Sequence, residues 1–220
     1  MRVCVLGSNG FVGKNLLDMN PTWTGVNREM LDLTVQEAVD EYFSLNKFDV
    51  VIHCAVVGGS RLKKDSGDVC YQNLLMFENV VRNKRRFHRL IYFSSGAATR
   101  GDPPTAPYGF SKWLIEGRIE QIPHAYCLRI WGCFGPHEPP TRFSAVCKRY
   151  GHVDIPQDRF FDFIDIKDVN KMVVEYCHHG GKKFRDLTYL TKTTLTQWAE
   201  FFGATYTVEK EGLGESYVSS

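Results

Sequence analysis

Short apolar runs alternate with stretches of helical period along most of the chain. Arg2–Leu6 reads as a strand buried on both faces, followed by a glycine-rich turn and a helix from about Phe11 to Asp18. Thr22–Val26 is a second, weaker strand, Val35–Leu45 has apolar residues at helical spacing, and Phe48–Ala55 is a strong third strand. A helix over Val69–Val81 leads to a strand at Arg89–Ser94, a helix over Tyr108–Ile119 and a strand at Ala125–Trp131. Strands separated by single helices predict an α/β fold with a doubly wound parallel sheet of six or seven strands.

The pattern loosens after Gly135-Pro136. It still predicts a helix over Thr141–Arg149, a short strand at Phe160–Ile164, and a helix over Lys167–Cys177 closed by Gly180-Gly181. One more strand at Leu187–Leu190 and a last helix at Leu195–Phe202 complete the reading. The expected organisation is a dinucleotide-binding core over residues 1–134, completed by about 160–192. A small, reduced C-terminal substrate region is expected over 135–159 and 193–220.

Composition narrows the class. The 220 residues are 43% hydrophobic and 24% charged, values of a globular chain rather than a disordered one. Lys plus Arg is 27 against 25 for Asp plus Glu, so the net charge of +2 gives no general attraction to nucleic acid or an anionic membrane. The seven cysteines are never spaced C-x-x-C and sit mostly in apolar runs, as reduced buried thiols do. The expected location is cytoplasmic, with no metal site. The basic run Arg82–Arg89 reads as a solvated helix end, and the adjacent His178 and His179 point apart on a helix.

Gly7-Ser8-Asn9-Gly10-Phe11-Val12-Gly13 joins the first strand to the first helix. Glycines there allow a tight turn, close approach of backbone to a pyrophosphate, and close helix–strand packing. The helix N-terminus adds N–H groups and partial positive charge for the anion. Past the second strand stands Arg28, suited to a 2′-phosphate, where no acidic residue is placed for ribose hydroxyls. NADP(H) is therefore favoured, with NAD possible. Farther on, Tyr108 and Lys112 lie four residues apart on one helical face, and a neighbouring cation favours phenolate.

In this spacing the sequence resembles the extended short-chain dehydrogenase/reductase family, the NAD-dependent epimerases and dehydratases that handle nucleotide sugars. The match is best to the branch of GDP-L-fucose synthases and dTDP-4-dehydrorhamnose reductases. It runs through Phe48–Gly59, Tyr71–Met76, the Tyr108/Lys112 pair and Gly135-Pro136-His137, then fades. The resemblance implies a Rossmann-like fold and a catalytic set of Tyr108, Lys112 and a hydroxyl, best Ser95, with Ser94 as the alternative. It places Asp32 near the adenine ring and makes Asn73 the helix asparagine that supports the lysine. His137, Arg142 and Arg159 are weaker substrate candidates, with Lys148 a further option.

A nucleotide-sugar substrate and a homodimer are likewise implied. The favoured activity is reduction of a 4-keto sugar nucleotide. Alternatives are an epimerase or dehydratase with tightly bound NAD, and a non-catalytic NAD(P)-sensing protein. Ala97 and the missing second histidine argue against a 3,5-epimerase step. Only 12 residues lie between Ser95 and Tyr108, so the resemblance also implies a trimmed lid and an open, shallow sugar site.

Overall fold

A computed structural model describes residues 1–60 and 62–219. Three strands that the apolar runs predict are buried along their length: β1 (Val3–Leu6), β3 (Val50–His53) and most of β4 (Arg89–Ser95). Burial on both faces requires a sheet covered from both sides. With β2 (Thr24–Val26), β5 (Ala125–Ile130) and β9 (Phe184–Leu187) they form a six-stranded sheet in the order β2-β1-β3-β4-β5-β9. The β1–β2, β1–β3 and β3–β4 pairings are parallel. The fold is Rossmann-like.

The crossovers carry α1 (Phe11–Met19), α2 (Gln36–Leu45), α3 (Gly67–Val81), α4 (Pro107–Glu120) and, before β9, α6 (Ile166–His179). The chain leaves β1 outward to β2 and then returns across it to β3. Strand order reverses there, so a crevice opens at the carboxyl ends of β1 and β3, where such sheets bind ligands.

Two compact units result: Met1–Arg129 with Asn170–Arg185, and Ile130–Val169 with Asp186–Ser220. The first is organised around a core that includes Leu6, Phe43, Phe77, Tyr92 and Ile115. Two small sheets belong to the second: β6 (Cys133–Phe134) with β8 (Ile164–Asp165), and β7 (His152–Gln157) with β10 (Thr205–Lys210). With them come α5 (Phe143–Tyr150) and α7 (Leu195–Phe201).

The sequence pattern misses β7 and β10, and it places a strand over Phe160–Ile164 where only Ile164 begins one. Phe160 and Phe161 instead make isolated bridges. Phe161 and Phe163 stack with ring centroids 4.5 Å apart in an aromatic cluster with Trp198 and Phe202, so this stretch is fixed by ring packing rather than by a ladder. The strand expected at Leu187–Leu190 ends at Leu187, and Leu190 is fully exposed.

Candidate functional site

The turn after β1 is built as the glycine spacing requires. Gly7 has φ of +81°, and a Cβ there would lie 2.5 Å from the Ala55 backbone nitrogen. A Cβ on Gly13 would lie 2.5 Å from the Gly7 carbonyl oxygen. Gly7 and Ser8 donate from their backbone nitrogens to the Val26 carbonyl at 2.8 and 3.1 Å, which pins the turn to the end of β2. α1 starts at Phe11 with Gly10 as its cap, no capping side chain and no acidic residue in its first turn. Its N-terminal field is thus left for an external anion.

A cavity of about 230 Å³ opens here, with Gly7, Gly10, Arg28, Asp32, Ala55 and Met76 among its walls. Arg28 and Asp32 form an ion pair at 3.3 Å, with the arginine side chain 75% exposed. Such an exposed pair contributes little to stability and leaves the guanidinium free to turn. The Asp32 carboxylate also accepts from Thr34, from its hydroxyl at 2.7 Å and its backbone N–H at 2.9 Å. Chiefly through those bonds, and then through Arg28, its pKa lies below the ordinary value.

The second constellation lies at the start of α4. Tyr108 is half-buried, and Lys112, one turn later, is 3% exposed. The Lys112 Nζ is 5.6 Å from the Tyr108 ring centroid. It donates to the Tyr92 hydroxyl and to the Phe93 carbonyl, each at 2.8 Å. Gly109 lets α4 approach the turn after β4, since a Cβ there would lie 2.6 Å from the Ala97 carbonyl oxygen. Gly59, from the loop after β3, packs its backbone against the Tyr108 ring.

Burial lowers the Lys112 pKa from the ordinary 10.5 to about 8, because an ammonium is costly to desolvate. The unfolded chain therefore binds more protons between those two values, and stability due to this group rises as pH climbs from about 8 to 10.5. Buried thiols act oppositely above about 9; Cys4, for example, is pushed up to about 12 by burial. Chemical denaturation of the wild type and of Lys112→Met across this range isolates the lysine: the stability difference should grow in favour of the wild type.

The two serines at the end of β4 have different surroundings. Ser94 is buried and donates to the Glu116 carboxylate at 2.6 Å. Glu116 is also gripped by Arg129 through two bonds, at 2.8 and 2.7 Å. Ser95 caps the following 3₁₀ turn, its Oγ accepting from the Ala97 N–H at 3.2 Å. Alternation along the strand sends Tyr92 and Ser94 toward α4.

Asn73 is buried on α3. Its amide bonds to both backbone groups of Val57 and to the Ser111 hydroxyl at 3.1 Å, so it fixes the loop after β3 and the neighbour of Lys112 rather than Lys112 itself.

A model of the NAD dependent epimerase/dehydratase family matches residues 3–187. The chain belongs to that family. Over 105 residues it is 37% identical to the probable UDP-arabinose 4-epimerase 3 of Arabidopsis thaliana, spanning 40% of this chain and a quarter (25%) of the plant protein. The solved dTDP-4-dehydrorhamnose reductase of Bacillus anthracis, in complex with NADP, superposes with a TM-score of 0.83 at 19% identity, covering 94% of this chain and 84% of that one. The UDP-glucose 4-epimerase of Thermotoga maritima with UDP-glucose does so at 0.82 and 16%, covering 100% and 90%. These structural likenesses show the fold.

In this family member the remaining candidates lie in the second unit. His137 occupies a loop with φ of +61°. Arg142 precedes α5 and donates to the Cys133 carbonyl at 3.2 Å. Arg159 keeps a buried Nε that has no hydrogen-bond partner among the described residues. Lys148 lies 3.9 Å from Glu138.

Sequence reasoning missed Tyr92 and the Glu116–Arg129 pair. Their only trace is polarity out of place: a hydroxyl inside the apolar run Leu90–Phe93, and an acid on the buried side of α4. No helix among the described residues is long and apolar enough to cross a membrane.

Proposed function

We propose that this chain is an NADPH-dependent oxidoreductase that reduces the keto group of a nucleotide-linked 4-keto sugar. The observation that carries the reading is the buried Lys112 amine one helical turn from Tyr108. That geometry holds a cation beside a phenol whose proton is to be exchanged.

The residues of the first unit fit a dinucleotide. Gly7 and Gly13 pack too closely against the Ala55 backbone and the Gly7 carbonyl to carry a side chain, which holds the turn tight at the start of α1. The first turn of α1 has neither an acid nor a capping side chain. The 7–13 turn, with Ser8, Asn9, Gly10, Phe11 and Val12, would hold the pyrophosphate. Arg28 would take the 2′-phosphate, and Asp32 would lie beside the adenine. Asn73 would act through Val57, whose backbone it holds at the cavity wall. When bound, the cofactor supplies the hydride.

The chain's own residues do the rest. Lys112 holds the nicotinamide ribose and lowers the cost of phenolate. Tyr108 gives its proton to the carbonyl oxygen as that oxygen becomes a hydroxyl. The hydrogen bond that aligns the carbonyl falls to Ser95, because Ser94 is already committed to Glu116. The unpartnered Nε of Arg159 supports it as a contact for the substrate diphosphate; His137 and Arg142 are candidates for the same role.

Arg28→Ala should raise the KM for NADPH about 10- to 100-fold, the worth of a hydrogen bond to a charged group, while NADH changes little. Initial rates with each cofactor check this.

An epimerase with resident NAD is the second reading, favoured by the 37% identity to a UDP-arabinose 4-epimerase. Purified protein incubated with NADPH and a panel of dTDP-, GDP- and UDP-linked sugars, both 4-keto and 4-hydroxy, decides between them. Consumption of NADPH with formation of the hydroxy-sugar supports the reductase. Interconversion of 4-hydroxy sugar nucleotides by protein that carries bound NAD and leaves NADPH untouched supports the epimerase.

A further inference from the structure

We propose that Tyr92 is the positioning residue for Lys112: its hydroxyl, inside the core, sets both the direction and the protonation of that lysine. The inference deepens the reading of Tyr108 and Lys112 given above and rests on it for its effect on turnover.

Lys112 has three donors and a flexible four-carbon stem, so the acceptors around it decide where the ammonium sits. Among the described residues it has two, the Phe93 carbonyl and the Tyr92 hydroxyl, both at 2.8 Å. That leaves one N–H for the direction of Tyr108 and a bound ribose. Tyr92 is able to fix that direction because its own ring cannot drift. It is 1% exposed and wedged edge-on between His53, at 5.5 Å, and Phe77, at 5.4 Å. The Nζ also lies 4.4 Å from the centroid of the Tyr92 ring, within reach of a cation–π attraction.

The other groups that face Lys112 do not replace this acceptor. On β3, His53 is held neutral by burial and then by Lys112 itself, its pKa pushed down to about 3. The Cys54 thiol beside it is pushed up by burial. On α4, the Glu116 carboxylate is taken by Ser94 and Arg129, and Tyr108 is the phenol that the lysine serves. On β5, the Cys127 thiol is likewise held protonated by burial. Tyr92 is therefore the one side chain among the described residues that accepts a hydrogen bond from the ammonium directly. A tyrosine hydroxyl suits the task, since it accepts from an ammonium and donates to a neutral amine.

The test is Tyr92→Phe, which keeps the ring and removes one oxygen. Lysine labelled with ¹³C at Cε gives the Lys112 titration by NMR, assigned through the signal lost in Lys112→Arg. Loss of an acceptor that favours the charged form should lower the Lys112 pKa by about one unit or more. In turnover the alkaline limb of the kcat profile should move down by the same amount, with kcat reduced about twofold at pH 7 for a one-unit shift, and the KM for NADPH nearly unchanged.

Phe77→Leu loosens the same ring stack without touching the hydroxyl and should leave the Lys112 titration in place. Site-specific 3-fluorotyrosine at position 92, a poorer acceptor that keeps the hydroxyl, should give a smaller shift in the same direction. It stands in for Tyr92→Phe should that variant not fold. A Lys112 titration unchanged by loss or weakening of the hydroxyl, or shifted equally by Phe77→Leu, overturns the proposal. A shifted titration in a protein that turns over no keto sugar upholds the positioning role and sinks the reductase reading instead.

Discussion

Tyr108→Phe should lower kcat/KM for keto-sugar reduction by about 10²- to 10⁴-fold, the usual worth of a positioned general acid. NADPH affinity should stay close to that of the wild type. The phenyl ring keeps the packing against Gly59 and loses only the hydroxyl. Lys112 keeps both of its hydrogen bonds, because they run to Tyr92 and Phe93. The loss should therefore fall on kcat, and thermal stability should change little. Steady-state kinetics with fluorescence titration of NADPH separates the two. A variant that turns over within about threefold of wild type would remove Tyr108 from the chemistry.

The second large effect is structural. Gly7→Ala should destabilise the protein by about 2–5 kcal/mol. The left-handed conformation costs a side chain about 1–2 kcal/mol, and forced overpacking adds about 1–3 kcal/mol. The obstacle is backbone that cannot swing aside: a Cβ at Gly7 would lie 2.5 Å from the nitrogen and 2.7 Å from the Cα of Ala55. At roughly 2–4 °C per kcal/mol in a domain of this size, the melting temperature should fall by about 5–20 °C. NADPH binding should be lost with it, since the same contact sets the turn against β3. Gly117→Ala is the matched control: at this exposed position of α4 a Cβ meets nothing within 4 Å, and the change should be neutral or stabilising. Equal melting temperatures for the two variants would contradict this account of the turn.

The order of elements in the first unit was legible because its strands are buried on both faces. Val3–Leu6 and Val50–His53 have no solvent side, so they stand out as apolar runs between helical stretches. The second unit has no such strands. In β7 the burial alternates along His-Val-Asp-Ile-Pro-Gln, with a proline in place of one ladder donor, and β10 is exposed at five of its six positions. Its core is a set of aromatic rings whose pairing depends on tertiary packing rather than on period.

The candidate site divides in the same way. The glycine turn and the Tyr108–Lys112 pair are local patterns with fixed spacing, so they can be read along the chain. Tyr92 meets Lys112 from 20 residues away, and Arg129 meets Glu116 from 13 away. Neither separation is fixed by any helical or strand period. Asn73 shows an intermediate case: its place beside the site was readable, but its partners, Val57 and Ser111, depend on how α3 and α4 pack.

The central claim is net transfer of hydride to a sugar carbonyl, and isotope transfer from cofactor to sugar tests it most directly. NADPH deuterated at the transferable C4 position is mixed with a 4-keto sugar nucleotide and the wild-type protein, and the sugar is then analysed by mass spectrometry and NMR. One deuterium at the new carbinol carbon, absent with Tyr108→Phe, is the predicted result. A keto sugar recovered unreduced and free of deuterium, with the label still on NADPH, would contradict it.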